Sequence, residues 1–322
     1  MISLICYNFY LLNVLRIEEV TKQYNGVLAL DSISIEIPKG SIYGLLGPNG
    51  AGKTSLIRII NQITQPDNGS VYLDGELLCP SHISQIGYLP EERGLYKNMR
   101  VGEQAMYLAR LKGLSKKEAK TRLLYWFDKF GIRNWWDKKI QELSKGMAQK
   151  VQFIVTVMHR PKLLIFDEPF SGFDPVNAEL IANEILQLRN EGATIIFSTH
   201  RMESIEQMCD HICLLNKGKI VLEGTVAALQ QLYGAKIYEI VFKTNNTKEV
   251  LSFFVDAYEL RNHNYDEVSA ILKLEVAFKE NERPSDLMQN LLPFGELMQF
   301  VQKLPSMHAI FLDAIGKTDM HS

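Results

Sequence analysis

Ser41-Ile-Tyr-Gly-Leu-Leu46, followed by Gly47-Pro-Asn-Gly-Ala-Gly-Lys53-Thr54, decides the fold of this 322-residue chain. The first six residues read as a short buried strand. The next eight match GxxxxGK[ST] without interruption, and residues 55–60 continue as a helix. Strand, glycine loop and helix in that order make a phosphate-binding loop. Its glycines let successive backbone N–H groups converge on phosphate oxygens, and the helix adds its positive N-terminus. The candidate nucleotide-binding residues here are Gly47, Pro48, Asn49, Gly50, Ala51, Gly52, Lys53, Thr54 and Ser55. Lys53 brings positive charge to the β- and γ-phosphates, and the Thr54 hydroxyl suits Mg²⁺.

A second signal lies downstream. Leu163-Leu-Ile-Phe166-Asp167-Glu168-Pro169 puts two carboxylates at the end of an apolar strand, where α/β sheets place their ligands. Asp167 suits Mg²⁺, and Glu168 suits activation of an attacking water, a role worth about 10²–10⁴-fold in rate. Leu143-Ser-Lys-Gly-Met147 stands just before that strand at an expected helix start. Ser171-Gly-Phe-Asp174 follows it, and Ser198-Thr-His200 ends the next strand.

In this order and together, these segments resemble the ATP-binding cassette (ABC) ATPases over residues 16–233. The resemblance implies ATP and Mg²⁺ as cofactors and a pair of cassettes joined head to tail. Ser144 and Gly146 of one would meet the nucleotide on the other, Asp174 would belong to the loop between the two sites, and His200 would hold the attacking water. Tyr24 matches the family's adenine-stacking aromatic; stacking of this kind is worth roughly 1–3 kcal/mol. The implied catalytic residues are Glu168 and His200, and the implied metal ligands are Thr54, Asp167 and Glu91.

Three departures stand out. Glu91 occupies the place of the family's glutamine, Lys145 that of the first signature glycine, and Met147 that of the signature glutamine. Glu91-Glu-Arg-Gly-Leu-Tyr96 combined with Leu143–Met147 is similar to a bacterial subgroup that includes sodium-efflux-type subunits. That subgroup often carries a C-terminal accessory domain ending as Leu304-Pro-Ser-Met-His-Ala-Ile-Phe311 does here.

The flanking pattern sets the architecture. Residues 15–20 and 30–37 alternate as half-buried strands, residues 101–111 carry an apolar helical face, and Ser115 with Glu118 makes a capping box. Alternating strands and helices predict a mainly parallel α/β sheet with a helical insertion. The expected divisions are an N-terminal extension to residue 15, the cassette over 16–233 and an accessory domain over 234–322. We read the accessory domain as strand, helix, strand, helix, strand, helix, and assign it a small ferredoxin-like α/β fold. The extension, apolar but broken by Asn8 and Asn13, reads as an upstream start in preference to a membrane-surface segment.

Composition removes other classes. Thirty-five basic and 37 acidic side chains leave a net charge of -2, without the basic excess of a phosphate-contacting nucleic-acid binder. No run supplies the roughly 20 apolar residues of a membrane helix. The expectation is therefore an ATP-hydrolysing transport subunit, peripheral on the cytoplasmic face through a membrane permease. Efflux is favoured by analogy, and no nucleic-acid partner is expected. The competing reading, a soluble ABC ATPase acting on nucleic acid or ribosomes, lacks the second cassette or coiled-coil insertion common in such relatives. Cys209-Asp-His211-Ile-Cys213 reads as buried structural cysteines, because no second ligand cluster accompanies it.

Overall fold

The computed structural model describes residues 13–319 apart from 93, 200–201, 235 and 279–282. The chain forms two compact units, one running to Val226 and resumed from Ala314, the other spanning Ala227–Asp313.

In the first unit, β1 (Asn13–Tyr24) and β2 (Val27–Pro38) form a hairpin whose alternation buries Leu15, Ile17, Ile33, Ile35 and Ile37. Asn25 and Gly26 both take positive φ, as its two-residue turn requires. The first strand starts at Asn13, so Val14 and Leu15 belong to this core and not to an extension. The hairpin continues into a four-stranded antiparallel sheet with β4 (Asn68–Leu73) and the short β5 (Glu76–Leu77).

The second sheet has six strands in the order β10-β9-β3-β8-β7-β6. Of these, β3 (Ile42–Leu46), β6 (Ile86–Leu89), β7 (Leu163–Asp167), β8 (Thr194–Ser198) and β9 (His211–Asn216) run parallel, and β10 (Lys219–Thr225) closes one edge antiparallel. Every residue of β3, β7 and β8 is buried, which explains their continuous apolar runs. Register brings the chemistry to one level: Ser198 of β8 pairs with Leu45 on one side and Asp167 on the other. The glycine loop and the two carboxylates therefore leave the sheet at the same edge.

The helical insertion comprises Val101–Leu111, Lys116–Lys129 and Lys145–Val157. Ser115 caps the middle helix as expected, its Oγ accepting from the Glu118 backbone N–H at 3.3 Å. Phe153 ties the insertion to the sheet, its ring 5.7 Å from Phe130 and 5.6 Å from Phe166 of β7.

In the second unit, β11 (Ile237–Lys243), β12 (Glu259–Asp266), β13 (Ile271–Ala277) and β14 (Glu296–Gln302) form an antiparallel sheet in the order β12-β13-β11-β14. With helices Thr247–Ala257 and Pro284–Leu291 the chain order is βαββαβ, the ferredoxin-like arrangement. The sequence pattern missed β12. This edge strand, ELRNHNYD, buries no residue fully and offers no apolar alternation to read.

Gly102 opens the first helix of the insertion where a Cβ would come within 2.2 Å of the Trp136 ring. Gly102→Ala is expected to cost about 1–3 kcal/mol by overpacking, read as a lower denaturation midpoint in guanidinium.

Candidate nucleotide site

At the end of β3 the chain turns through Gly47 (φ 144°), Gly50 (φ 80°) and Gly52 (φ 110°) before helix Lys53–Ile60 begins. Two of these glycines are also fixed by crowding. A Cβ on Gly47 would lie 2.2 Å from the Leu215 carbonyl oxygen, and one on Gly52 would lie 2.5 Å from that of Ala29. Gly50 faces open space, so its need for glycine comes from φ alone. Lys53 folds back over the loop, its ammonium donating to the carbonyls of Gly47 (2.6 Å) and Pro48 (3.0 Å).

The loop faces a cleft of about 550 Å³, lined also by Ala29, Glu91, Asp167 and Glu168. Burial lowers the Lys53 pKa, and Glu168, Asp167 and Glu91 oppose that shift. Burial raises the Asp167 pKa; Glu91 and Glu168 raise it further, and Lys53 offsets part of this. Three carboxylates thus converge on one cation, and a hard divalent cation beside Asp167 would relieve the imbalance. Thr54, Asp167 and Glu91 supply the oxygen donors Mg²⁺ prefers, so the residues fit it.

Glu168 sits at φ 50°, a conformation that is costly for a side chain with a Cβ. It is held there by its own N–H, which donates to the Ser198 carbonyl at 2.8 Å, and by the Thr199 hydroxyl, which donates to its Oε2 at 3.2 Å. Neither Ala29 nor Thr199 was a candidate from sequence. Ala29 reaches the cleft through the hairpin register, and Thr199 had served only as a spacer ahead of His200.

The remaining candidates lie elsewhere. Tyr24, 38% exposed at the end of β1, does not line the cleft, and a lysine ammonium (Lys22) sits 5.4 Å above its ring. Ser144 caps helix Lys145–Val157, its Oγ accepting from the Met147 N–H at 3.3 Å. Asp174 caps helix Pro175–Asn190: Oδ1 accepts from the Asn177 N–H (3.0 Å) and Oδ2 from its side-chain amide (2.6 Å). These bonds lower the Asp174 pKa. Lys145 is exposed and lays its stem against Gly172, so the first turn of the signature helix touches the loop leading to Asp174. His200 lies outside the described residues. Cys209 and Cys213 are buried, with both thiol pKa values raised by burial.

Residues 30–171 match the ABC transporter family, and residues 224–315 match the C-terminal domain of DrrA1-3-like ATP-binding proteins. The ABC transporter ATP-binding protein YhaQ of Bacillus subtilis is 39% identical over 307 residues, covering 94% of this chain and 99% of that one. The linearmycin resistance ATP-binding protein LnrL of the same organism is 30% identical, covering 95% and 99%. A solved ATP-binding subunit of an ABC transporter is 28% identical with a TM-score of 0.64, covering 68% of this chain and 93% of that one. The chain belongs to the ABC transporter ATP-binding proteins. It is an ATPase subunit with a DrrA-like C-terminal domain.

Asp167→Asn removes a buried charge that its two carboxylate neighbours disfavour. Because folding raises this pKa, the cost of the ionised form grows as pH rises through it and is complete above it. The variant is expected to melt at a higher temperature than the parent at pH 7 without nucleotide and to lose that advantage at acidic pH. Gly52→Ala should weaken ATP binding by at least about tenfold, measured by calorimetry, from strained φ and the clash with Ala29.

Proposed function

We propose that the chain powers export through a separate membrane permease, working as one of two paired cassettes at the cytoplasmic face. The observation that carries this reading is the divided site. The glycine loop, Asp167, Glu168 and Glu91 line one cleft, and Ser144 and Gly146 do not line it. A helix start that its own nucleotide cleft leaves unused is suited to close over the nucleotide of a second cassette. Tyr24, exposed beside the hairpin turn, is available for stacking on the base.

The chain's own residues divide the work. The loop N–H groups and Lys53 hold the phosphates, and Lys53 exchanges its two carbonyl partners for phosphate oxygens. Thr54, Asp167 and Glu91 would hold Mg²⁺, which supplies charge neutralisation at the phosphates. Glu168, fixed by Thr199 and the Ser198 carbonyl, orients a water and accepts its proton. His200, next in the chain after Thr199, is assigned to the γ-phosphate side of that water. Export follows the resistance role in the name of LnrL.

The site for the permease is the apolar surface formed by Tyr96, Met99 and Tyr107, with the two tyrosines 58% and 47% exposed. It lies at the entry to the helical insertion, a few residues beyond Glu91. Tyr96 is anchored from behind by its N–H, which donates to the buried Gln104 side chain at 3.1 Å. A change at the nucleotide therefore has a short covalent path to this surface. Among the described residues no helix is long and apolar enough to cross a membrane.

Glu168→Gln should lower ATP turnover by at least about 10²-fold while preserving ATP binding and accumulating a dimer in gel filtration; unchanged turnover refutes the role of Glu168. A Tyr96→Ala, Tyr107→Ala double variant should keep ATP binding but fail to co-purify with a permease from native membranes. Co-purification equal to that of the parent chain would place the docking surface elsewhere.

A further inference from the structure

Away from the nucleotide, Cys79, Ser81, His82 and Glu76 form a linked cluster. The Cys79 sulfur is 2.9 Å from Ser81 Oγ and 3.4 Å from His82 Nδ1. Because His82 Nδ1 accepts the Cys79 backbone N–H (3.1 Å), its proton sits on Nε2, which donates to Glu76 Oε2 at 3.1 Å. A nucleophile, a base within reach and a carboxylate orienting that base follow one another, as in activated thiols. His82 is 6% exposed, which fixes its ring, and Glu76 lies open to solvent.

A cavity adjoins the thiol. Cys79 lines a cleft of about 280 Å³ with Ile59, Gln62, Thr64, Pro66 and Leu78. This volume holds a small organic group, and its rim offers the Gln62 and Thr64 side chains for polar contact. Gln62 is already fastened there, its amide donating to the Leu78 carbonyl at 2.9 Å.

We propose that Cys79 is a modification site for low-molecular-weight disulfides, with the bound half lying in this cleft. The Cys79 thiolate attacks one sulfur of the disulfide. A new S–S bond forms as the old one breaks, and the other half leaves as a thiolate that takes a proton from solvent. The incoming disulfide is the oxidant, so no other redox partner enters. His82 Nδ1 takes the thiol proton as it gives up the Cys79 backbone N–H it accepts at rest, and Glu76 stabilises the imidazolium through Nε2. The Ser81 hydroxyl donates to the sulfur and is the foremost cause of a thiol pKa below its ordinary value; burial and the Glu76 charge act the other way. Such a thiol is more readily ionised than an ordinary cysteine, and the thiolate is the form that attacks a disulfide.

The position gives the adduct a route to the ATPase. Ile59 lies in the last turn of the helix that begins at Lys53 and Thr54, and Gln62 just past its C-cap Asn61. The turn Pro80–Gln85, which Cys79 starts, runs directly into β6 and on to Glu91. Its far end is fastened by the Lys112 ammonium, which donates to the Ile83 and Ile86 carbonyls, both at 2.8 Å.

The test uses the full chain carrying Cys6→Ser, with cystine and iodoacetamide as probes and mass spectrometry to locate the adduct. Cystine should modify Cys79 ahead of the buried Cys209 and Cys213, with a rate midpoint below that of free cysteine. Ser81→Ala and His82→Ala should each slow the reaction at pH 7 at least fivefold. Thr64→Trp, which fills the cleft, should slow cystine but leave iodoacetamide unchanged. An ordinary midpoint, or Ser81 and His82 variants reacting at the parent rate, would overturn the activated thiol. Thr64→Trp slowing both reagents equally, or neither, would overturn the cleft as the seat of the adduct. Both readings come from thiol chemistry, so they stand or fall apart from the assignment of the permease.

Discussion

The turn from β3 into helix Lys53–Ile60 is the constraint on which the site depends. Three glycines at positive φ make a tight concave loop possible, and two of them also sit where any Cβ would strike a carbonyl oxygen, of Leu215 or Ala29. The loop is held to neighbouring elements as well as to its own strand: the Gly218 N–H donates to the Ala51 carbonyl, and that of Asp31 to the Gly218 carbonyl. Distant segments, β2 and the β9–β10 turn, thereby fix the shape of eight residues. A phosphate cradle has to be stiff because its N–H groups gain nothing if they must be reorganised around each ligand.

Electrostatics completes the arrangement. One ammonium, half withdrawn from water, faces three carboxylates that disfavour one another. The balance is poor for the protein alone and good for a protein holding phosphates with a divalent cation, since the ligand brings both signs of charge. The strained Glu168 belongs to the same design. Its φ of 50° is tolerated because the Ser198 carbonyl and the Thr199 hydroxyl over-determine its position.

Much of this was legible in the residues themselves. The unbroken glycine loop, the acidic strand end and the signature segment each encode local chemistry, and local chemistry survives in sequence. So do apolar runs, which is why the central strands were read correctly. The polar edge strand β12 was not legible, because an edge that buries nothing leaves no hydrophobic period. The start of β1 was read two residues late, because Asn13 and Val14 looked continuous with the residues before them and only the pairing of Asn13 with Pro38 separates them.

By itself the sequence determined the nucleotide class, the glycine loop that faces the cleft and the two-part construction, since each rests on residue type at fixed short spacing. Tertiary structure decided which of those residues share a cleft. Register set Asp167 and the glycine loop level across Ser198, hairpin pairing brought Ala29 against Gly52, and capping drew both oxygens of Asp174 into its own helix. It also joined Cys79, His82 and Glu76, which sit within seven positions of one another yet carry no motif. Spacing along a chain fixes chemistry only where the backbone conformation is already known; elsewhere, contact depends on how separate elements pack.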